Sequence, residues 1–230
     1  MIMDSIVILG FGGHAKSVAD SVIRTGQYRI AGYTDIHRCD TRYDYLGPDD
    51  MLVNIYQTGI HKAVLGIGYM GNSIIRDSLV RKAKEIGFEF PTIVDPSAII
   101  ASDAEIAEGT FVGKNVVVNS DTRIGRYCII NTGSIIEHEN IIGDYSHISV
   151  GSVLCGNVKI GHHAMIGAGT IVIQGKSIGD NALIGANSTV LANVEDNMKC
   201  YGVVKNNCVW GGCRLTSIFT LPRICGLEAA

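Results

Sequence analysis

From residue 94 the chain repeats every six residues, a period that neither common secondary structure produces. It divides as VDPSAI, IASDAE, IAEGTF, VGKNVV, VNSDTR, IGRYCI, INTGSI, IEHENI, IGDYSH, ISVGSV, LCGNVK, IGHHAM, IGAGTI, VIQGKS, IGDNAL, IGANST and VLANVE, seventeen hexads over residues 94–195 without an insertion. Val, Ile or Leu fills every first position, and the fifth is usually small or β-branched, as at Ala98, Thr110, Thr122, Cys128, Ser134, Ser146, Ser152, Ala164, Thr170, Ala182 and Ser188. A helix repeats at 3.6 residues and a strand at 2, so neither gives this pattern. A β-solenoid does: three hexads make one triangular coil, the first residue points into the prism, and the fifth sits beside it where space is short. Coils then stack at the ~4.8 Å spacing of hydrogen-bonded strands. Abundant glycine (28 residues), scarce proline (4) and few aromatics suit repeated tight turns and aliphatic stacking.

Residues 1–92 follow a different rule, strand alternating with helix. Residues 5–10 (SIVILG) form a continuous apolar run, as in a strand buried on both faces. Ala15, Val18, Ala19, Val22 and Ile23 make a helical stripe that Gly26 ends. A strand at 28–33, a helix near 49–58, a strand at 62–68 and a helix at 72–86 follow. The last carries Ile75, Leu79, Ala83 and Ile86 on one side, with Asn72 placed to cap its start and Gly87 its end. Such alternation implies a small parallel sheet of Rossmann-like type. The expected organisation is an α/β domain at 1–92, an all-β solenoid at 93–197 and a tail at 198–230.

A net charge of −3, with no long Lys/Arg run, gives no reason to expect nucleic acid or a membrane surface as partner. The apolar N-terminus lacks a basic leader, and its run is too short to span a bilayer, so it reads as a buried strand. Seven cysteines, an odd number with no C-x-x-C pair, favour free thiols in a reducing, cytoplasmic setting over disulfides or a thiolate zinc site.

A solenoid alone could be a scaffold or an ice-binding surface, but those carry one repeated flat face, and here the outward positions vary. The sharpest irregularity is IEHENI. His138 is the third residue of its hexad, and eighteen residues away on the same face lie Gly156 and Ser120. The histidine therefore adjoins a missing side chain, which leaves room for a ligand. Glu137 and Glu139 flank it, and either could fix the imidazole tautomer. Residues 10–14 (GFGGH) lie between a strand and a helix N-terminus, where backbone N–H groups attract phosphate. The G-x-G-x-x-G fingerprint fails because Ala15 takes its last position, which argues against NAD.

The hexads, preceded by GFGGHAKSVAD, resemble the bacterial sugar-nucleotide N-acetyltransferases, and the sialic acid O-acetyltransferases look similar. The resemblance covers residues 5–197, and its most specific segment is NTGSIIEHENIIGDYSHISVGSVLCGNVKIG at 131–161. It implies a left-handed coil and acetyl-CoA as co-substrate, with no metal. It also implies a homotrimer with active sites between adjacent prisms. It implies that His138 is the general base and Glu139 its partner. His147, Ala168 and Ala186 would line the CoA path; beside them, the residues themselves offer the Gly156 N–H to face the thioester oxygen, because only glycine permits so close an approach. Gly12, Gly13, His14, Thr34, Asp35 and Gly68 would hold a nucleotide-sugar; the family's second strand often ends in two acids, and Thr34 replaces one. The alternatives are O-acetylation of a sialic acid or other polysaccharide sugar, and a non-catalytic sugar-nucleotide-binding scaffold. A β-helix zinc site of the carbonic anhydrase kind is disfavoured, because His138, His147, His162 and His163 have the wrong spacings. The family's closing G-x-P-A-K/R segment is absent: residues 202–206 read GVVKN, where Lys205 could meet a CoA phosphate, and a tail with Cys208, Trp210, Cys213 and Pro222 follows.

Overall fold

The structure, a computed structural model, describes residues 3–69, 71 and 74–205. Asn72, as the expected cap, and the tail with Cys208, Trp210, Cys213 and Pro222 lie outside the described residues. The N-terminal unit runs β1 (Asp4–Leu9), α1 (Gly13–Thr25), β2 (Tyr28–Thr34), a 3-10 turn at Asp49–Met51, α2 (Leu52–Gln57), β3 (Lys62–Leu65) and α3 (Ile74–Ile86). Its sheet is parallel in the order β2-β1-β3. Ile6, Val7, Ile8 and Leu9 of the central strand are fully buried, which is why that run is continuously apolar. Gly26 closes α1 in the left-handed conformation, φ 65°. Among the described residues, no helix is long and apolar enough to cross a membrane.

Two expectations need correction. The third strand ends at Leu65 rather than residue 68, because β1 turns away at Gly10 and the Gly66 N–H to Leu9 carbonyl bond is the last rung. The chain crosses itself there so tightly that a Cβ on Gly66 would stand 2.0 Å from the Gly10 carbonyl oxygen. On α3 the buried stripe is Arg76, Leu79, Val80 and Ala83, whereas Ile75 is 64% exposed. The inward turn of Arg76 rotates the helix by one residue.

From Ile93 the chain winds into a three-sided parallel solenoid. One face stacks strands from Ile93–Val94 to Lys199–Cys200, the second from Ile99–Ile100 to Val203–Val204, and the third from Glu105–Ile106 to Ser177–Ile178. Partners stand eighteen residues apart, as three hexads per coil require. First-position residues from Val112 to Val190 fill the prism. Fifth positions also have a physical reason: the hydroxyls of Thr110, Thr122, Ser146, Ser152 and Thr170 donate to carbonyls of the next coil at 2.6–3.0 Å. Every fourth position from Gly109 to Asn187 takes a positive φ, the region in which Gly, Asn and Asp are best tolerated. The last hexad does not run its full length: Val194, not residue 196, pairs with Ile178, so VLANVE is cut short and the final coil tightens.

The three faces differ in chemistry. Ile93, Phe111, Ile129, His147 and Met165 point outward from the first and are buried under the N-terminal unit. The second presents Ile99, Val117, Ile135, Val153, Ile171, Thr189 and Val203, exposed or partly exposed. The third presents Glu105, Arg123, Ile141, Lys159 and Ser177. We refer to them as the covered, aliphatic and charged faces.

Candidate active site

His138 and Glu139 occupy the corner between the aliphatic and charged faces. Ile136 and Asn140 anchor this turn inside the prism, and His138 projects outward. Its Nδ1 lies 2.9 Å from Glu139 Oε2, with both side chains at least half exposed. A carboxylate only accepts, so Nδ1 carries the proton and Nε2 keeps its lone pair. Glu137 is otherwise engaged: its Oε2 accepts from Asn119 Nδ2, one coil away, at 3.0 Å. So exposed a contact adds under about 1 kcal/mol to stability, which leaves orientation as its main consequence.

Gly156 does adjoin the imidazole, but the expected vacancy is filled. A Cβ there would stand 2.5 Å from both Cε1 and Nε2 of His138, so the ring itself lies over the glycine. The missing side chain makes room for the base rather than for a ligand.

Glu139 stands out in a second way. Among the fourth-position residues with positive φ, only Tyr127, Glu139, Tyr145 and His163 are neither Gly, Asn nor Asp. Tyr127, Tyr145 and His163 stack at 5.0 Å centroid spacing, one per coil, against the N-terminal unit. Arg76 donates to the Tyr127 carbonyl at 2.9 Å, and the Tyr69 hydroxyl donates to the His163 carbonyl at 2.5 Å. Their strain, of order 1–2 kcal/mol each, is offset by that packing. Glu139 has no such aromatic cover, and strain of this kind concentrates at functional sites.

A second group forms where the N-terminal unit meets the covered face. His147 is buried; its Nδ1–H donates to the Tyr69 carbonyl at 2.8 Å, and its Nε2 accepts from Asn131 Nδ2 at 3.2 Å. Burial, with the Arg76 charge, pushes its pKa down to about 4 despite the Tyr69 carbonyl, so the ring is neutral. His14 packs edge-on against Phe111 at 5.3 Å, and a Cβ on Gly68 would meet its Cβ at 3.5 Å. It keeps partial solvent contact, yet burial, then His147 and Arg76, push its pKa down to about 3. Gly12 and Gly13 are exposed at the start of α1, whose first turn has no capping side chain and no acid, leaving its N–H groups open. Asp35 Oδ2 accepts the Phe11 N–H at 2.6 Å and so fixes that loop. Thr34 is withdrawn from any ligand: it is fully buried, and its hydroxyl donates to Asp49 at 2.7 Å.

Ala168 and Ala186 are exposed and stacked one coil apart, at the corner between the covered and aliphatic faces. The expected residues therefore split into two groups along opposite edges of the aliphatic face. His138, Glu139 and Gly156 hold one edge. The other has Ala168 and Ala186; His147 and His14 lie on the neighbouring covered face under the N-terminal unit, with Gly68 beside His14 and Gly12, Gly13 and Asp35 around the start of α1. Sequence reasoning missed Asn119, Asn131, Tyr69 and Arg76. Counting eighteen residues back from Glu137 would have found Asn119; Tyr69 and Arg76 lie outside the repeat and gave no such signal.

Residues 5–83 match the PglD N-terminal domain family. Residues 103–138 match the bacterial transferase hexapeptide family (six repeats), and 157–192 and 175–199 match the hexapeptide repeat of succinyl-transferase. The UDP-N-acetylbacillosamine N-acetyltransferase of Bacillus subtilis (strain 168) is 32% identical over 114 residues, 48% of this chain and 51% of that protein. The chain thus aligns with about half the length of that curated relative. PerB from Caulobacter crescentus, solved in complex with CoA and GDP-perosamine, superposes with a TM-score of 0.82 at 31% identity, covering 87% of this chain and 95% of that one. The acetyltransferase domain of PglB from Neisseria gonorrhoeae, in complex with acetyl coenzyme A, gives 0.80 at 26% identity, covering 87% and 97%. With a Rossmann-like N-terminal domain, a left-handed parallel β-helix and 31% identity across nearly all of PerB, the chain belongs to the hexapeptide-repeat sugar-nucleotide N-acetyltransferase family.

Proposed function

We propose that this chain transfers the acetyl group of acetyl-CoA to the amino group of a nucleotide-linked amino-deoxy sugar. The observation that carries this reading is the His138–Glu139 pair, whose Nε2 lone pair is free to take a proton. The amine attacks the thioester carbonyl; as the C–N bond forms, His138 Nε2 accepts the ammonium proton, and Glu139 stabilises the imidazolium. The C–S bond then breaks, the sugar amide is released, and His138 returns the proton to the departing CoA thiolate. The Gly156 N–H serves the thioester oxygen. Ala168 and Ala186 offer backbone with nothing larger than a methyl group along the CoA path. His147, with both ring nitrogens bonded, serves that path by orienting Asn131. The nucleotide diphosphate sits at the open start of α1 with Gly12, Gly13 and His14, near Gly68 and Asp35.

Because the two groups of residues flank the aliphatic face, one chain does not bring them together. A stripe of six aliphatic β-branched residues along a whole face is unusual for a surface left in water. Packing of two copies through it would bring one copy's His138 edge to the other's Ala168 edge, as a homotrimer closed by threefold symmetry allows. CoA release measured with UDP-, dTDP- and GDP-amino sugars, against hydroxyl acceptors including a sialic acid, tests the reaction. Turnover confined to amine acceptors is expected; turnover confined to hydroxyl acceptors would make the chain an O-acetyltransferase. Nucleotide-sugar binding without CoA binding would make it a scaffold.

A further inference from the structure

Fifth positions of the hexads are normally small because the prism interior is tight, yet Asn140 occupies one and is fully buried. We infer that Asn140 is a positioning residue that holds the 137–139 turn in the one conformation where Glu139 reaches His138. The inference rests on the functional reading above.

Thr and Ser elsewhere at this position donate one bond, either to a carbonyl fifteen residues on or, at Ser134 and Ser188, back to the carbonyl three residues before, never both. Asn140 makes that bond too, from Nδ2 to the Cys155 carbonyl at 3.1 Å. It then does what a hydroxyl with one proton cannot. The same amide reaches back to the Glu137 carbonyl at 2.5 Å, with a longer 3.4 Å contact to the carbonyl of His138. Carbonyls only accept, so the group facing them is the NH2 end of the amide. The Glu137 carbonyl also takes the Thr122 hydroxyl at 3.0 Å, so it is held from two coils at once. The residue bracketed between this carbonyl and Asn140 includes the strained Glu139, φ 60°. No tyrosine stack supports that strain here, and the Asn140 clamp takes its place.

Asn140 also has a cost: its Oδ1 is buried with no hydrogen-bond partner. An unsatisfied buried acceptor is disfavoured, and a serine would avoid it. Placing an asparagine at this one turn is therefore poor for stability unless the turn's geometry matters.

Asn140→Ser leaves one proton for two carbonyls, so the turn keeps one of its two bonds, whereas the threonines of the prism all spend theirs on the next coil and so Asn140→Thr removes the reach back to Glu137. Threonine is also a residue that the prism accepts at positions 110, 122 and 170. The expected result of Asn140→Thr is a kcat lowered about tenfold or more, with KM for acetyl-CoA and acceptor within about twofold. Adding either change to Glu139→Ala should cost nothing further, because both act through one contact. In ring-nitrogen NMR, the His138 Nδ1–H tautomer signal that dominates in the unaltered protein should be lost in Asn140→Thr. Unchanged kcat, losses that add to those of Glu139→Ala, or a retained Nδ1–H signal would overturn the inference. If His138→Ala itself kept full turnover, the functional reading would fail instead, and the Nδ1–H signal would still decide the role of Asn140.

Discussion

Replacing Gly156 by alanine would set a methyl carbon 2.5 Å from Cε1 and Nε2 of His138. Ordinary carbon contacts begin near 3.5 Å, so something must retreat by about 1 Å. The obstacle is the far end of an exposed side chain, and the imidazole therefore swings while the backbone stays. Moving it by that amount stretches the 2.9 Å bond to Glu139 toward 4 Å, past the limit of a hydrogen bond. A reactive group misplaced by about 1 Å costs on the order of 10²-fold in rate, about 2.7 kcal/mol of transition-state stabilisation. Folding stability should change by less than about 1 kcal/mol, because the displaced ring is half exposed. Steady-state CoA release and a urea titration on the same preparation separate the two effects. Turnover within about twofold of the unaltered protein would refute the placement of the base over Gly156.

Glu139→Asn should raise stability by about 0.5–1 kcal/mol, since asparagine tolerates positive φ, while turnover falls about tenfold or more; a melt and a kcat measurement check both signs. Stability should also fall in acid. His147 is held near 4 when folded, against about 6.5 when unfolded, so below pH 6.5 the unfolded chain binds a proton that the folded chain refuses. Its contribution is complete above pH 6.5 and lost between there and pH 4, at a cost of up to about 3 kcal/mol. Denaturant titrations at pH 7.5, 5.5 and 4.5 should show the decline, and His147→Gln should make it shallower without abolishing it, because His14, held near 3, adds a loss of the same sign; an unchanged slope would assign the loss elsewhere.

Much of this was legible before any coordinates. A strict six-residue period points to a three-sided coil, though not to its hand, and eighteen-residue counting correctly set Gly156 beside His138. It could not say which group would fill the space, because that depends on how the imidazole turns toward Glu139. The same counting also separates Ala168 and Ala186 from His138 by a corner, a consequence visible only once the faces are compared. In the N-terminal unit, periodicity found the helices but misread α3, because apolar spacing favours Ile75 over Arg76 and cannot anticipate a buried guanidinium bonded to the Tyr127 carbonyl. Thr34 was read as a ligand contact from its place after β2, but its hydroxyl is committed to Asp49, a partner fifteen residues on that no local pattern indicates. The shortened last hexad was hidden because Val194 fits a fifth position as well as an inward one.

The base assigned to His138 is tested most directly by His138→Ala, assayed for CoA release with amino-sugar nucleotides while acetyl-CoA binding is followed by calorimetry. Acetyl-CoA should still bind, and turnover should fall by about 10²-fold or more, the usual contribution of a general base. Near-normal turnover with acetyl-CoA bound would contradict the mechanism.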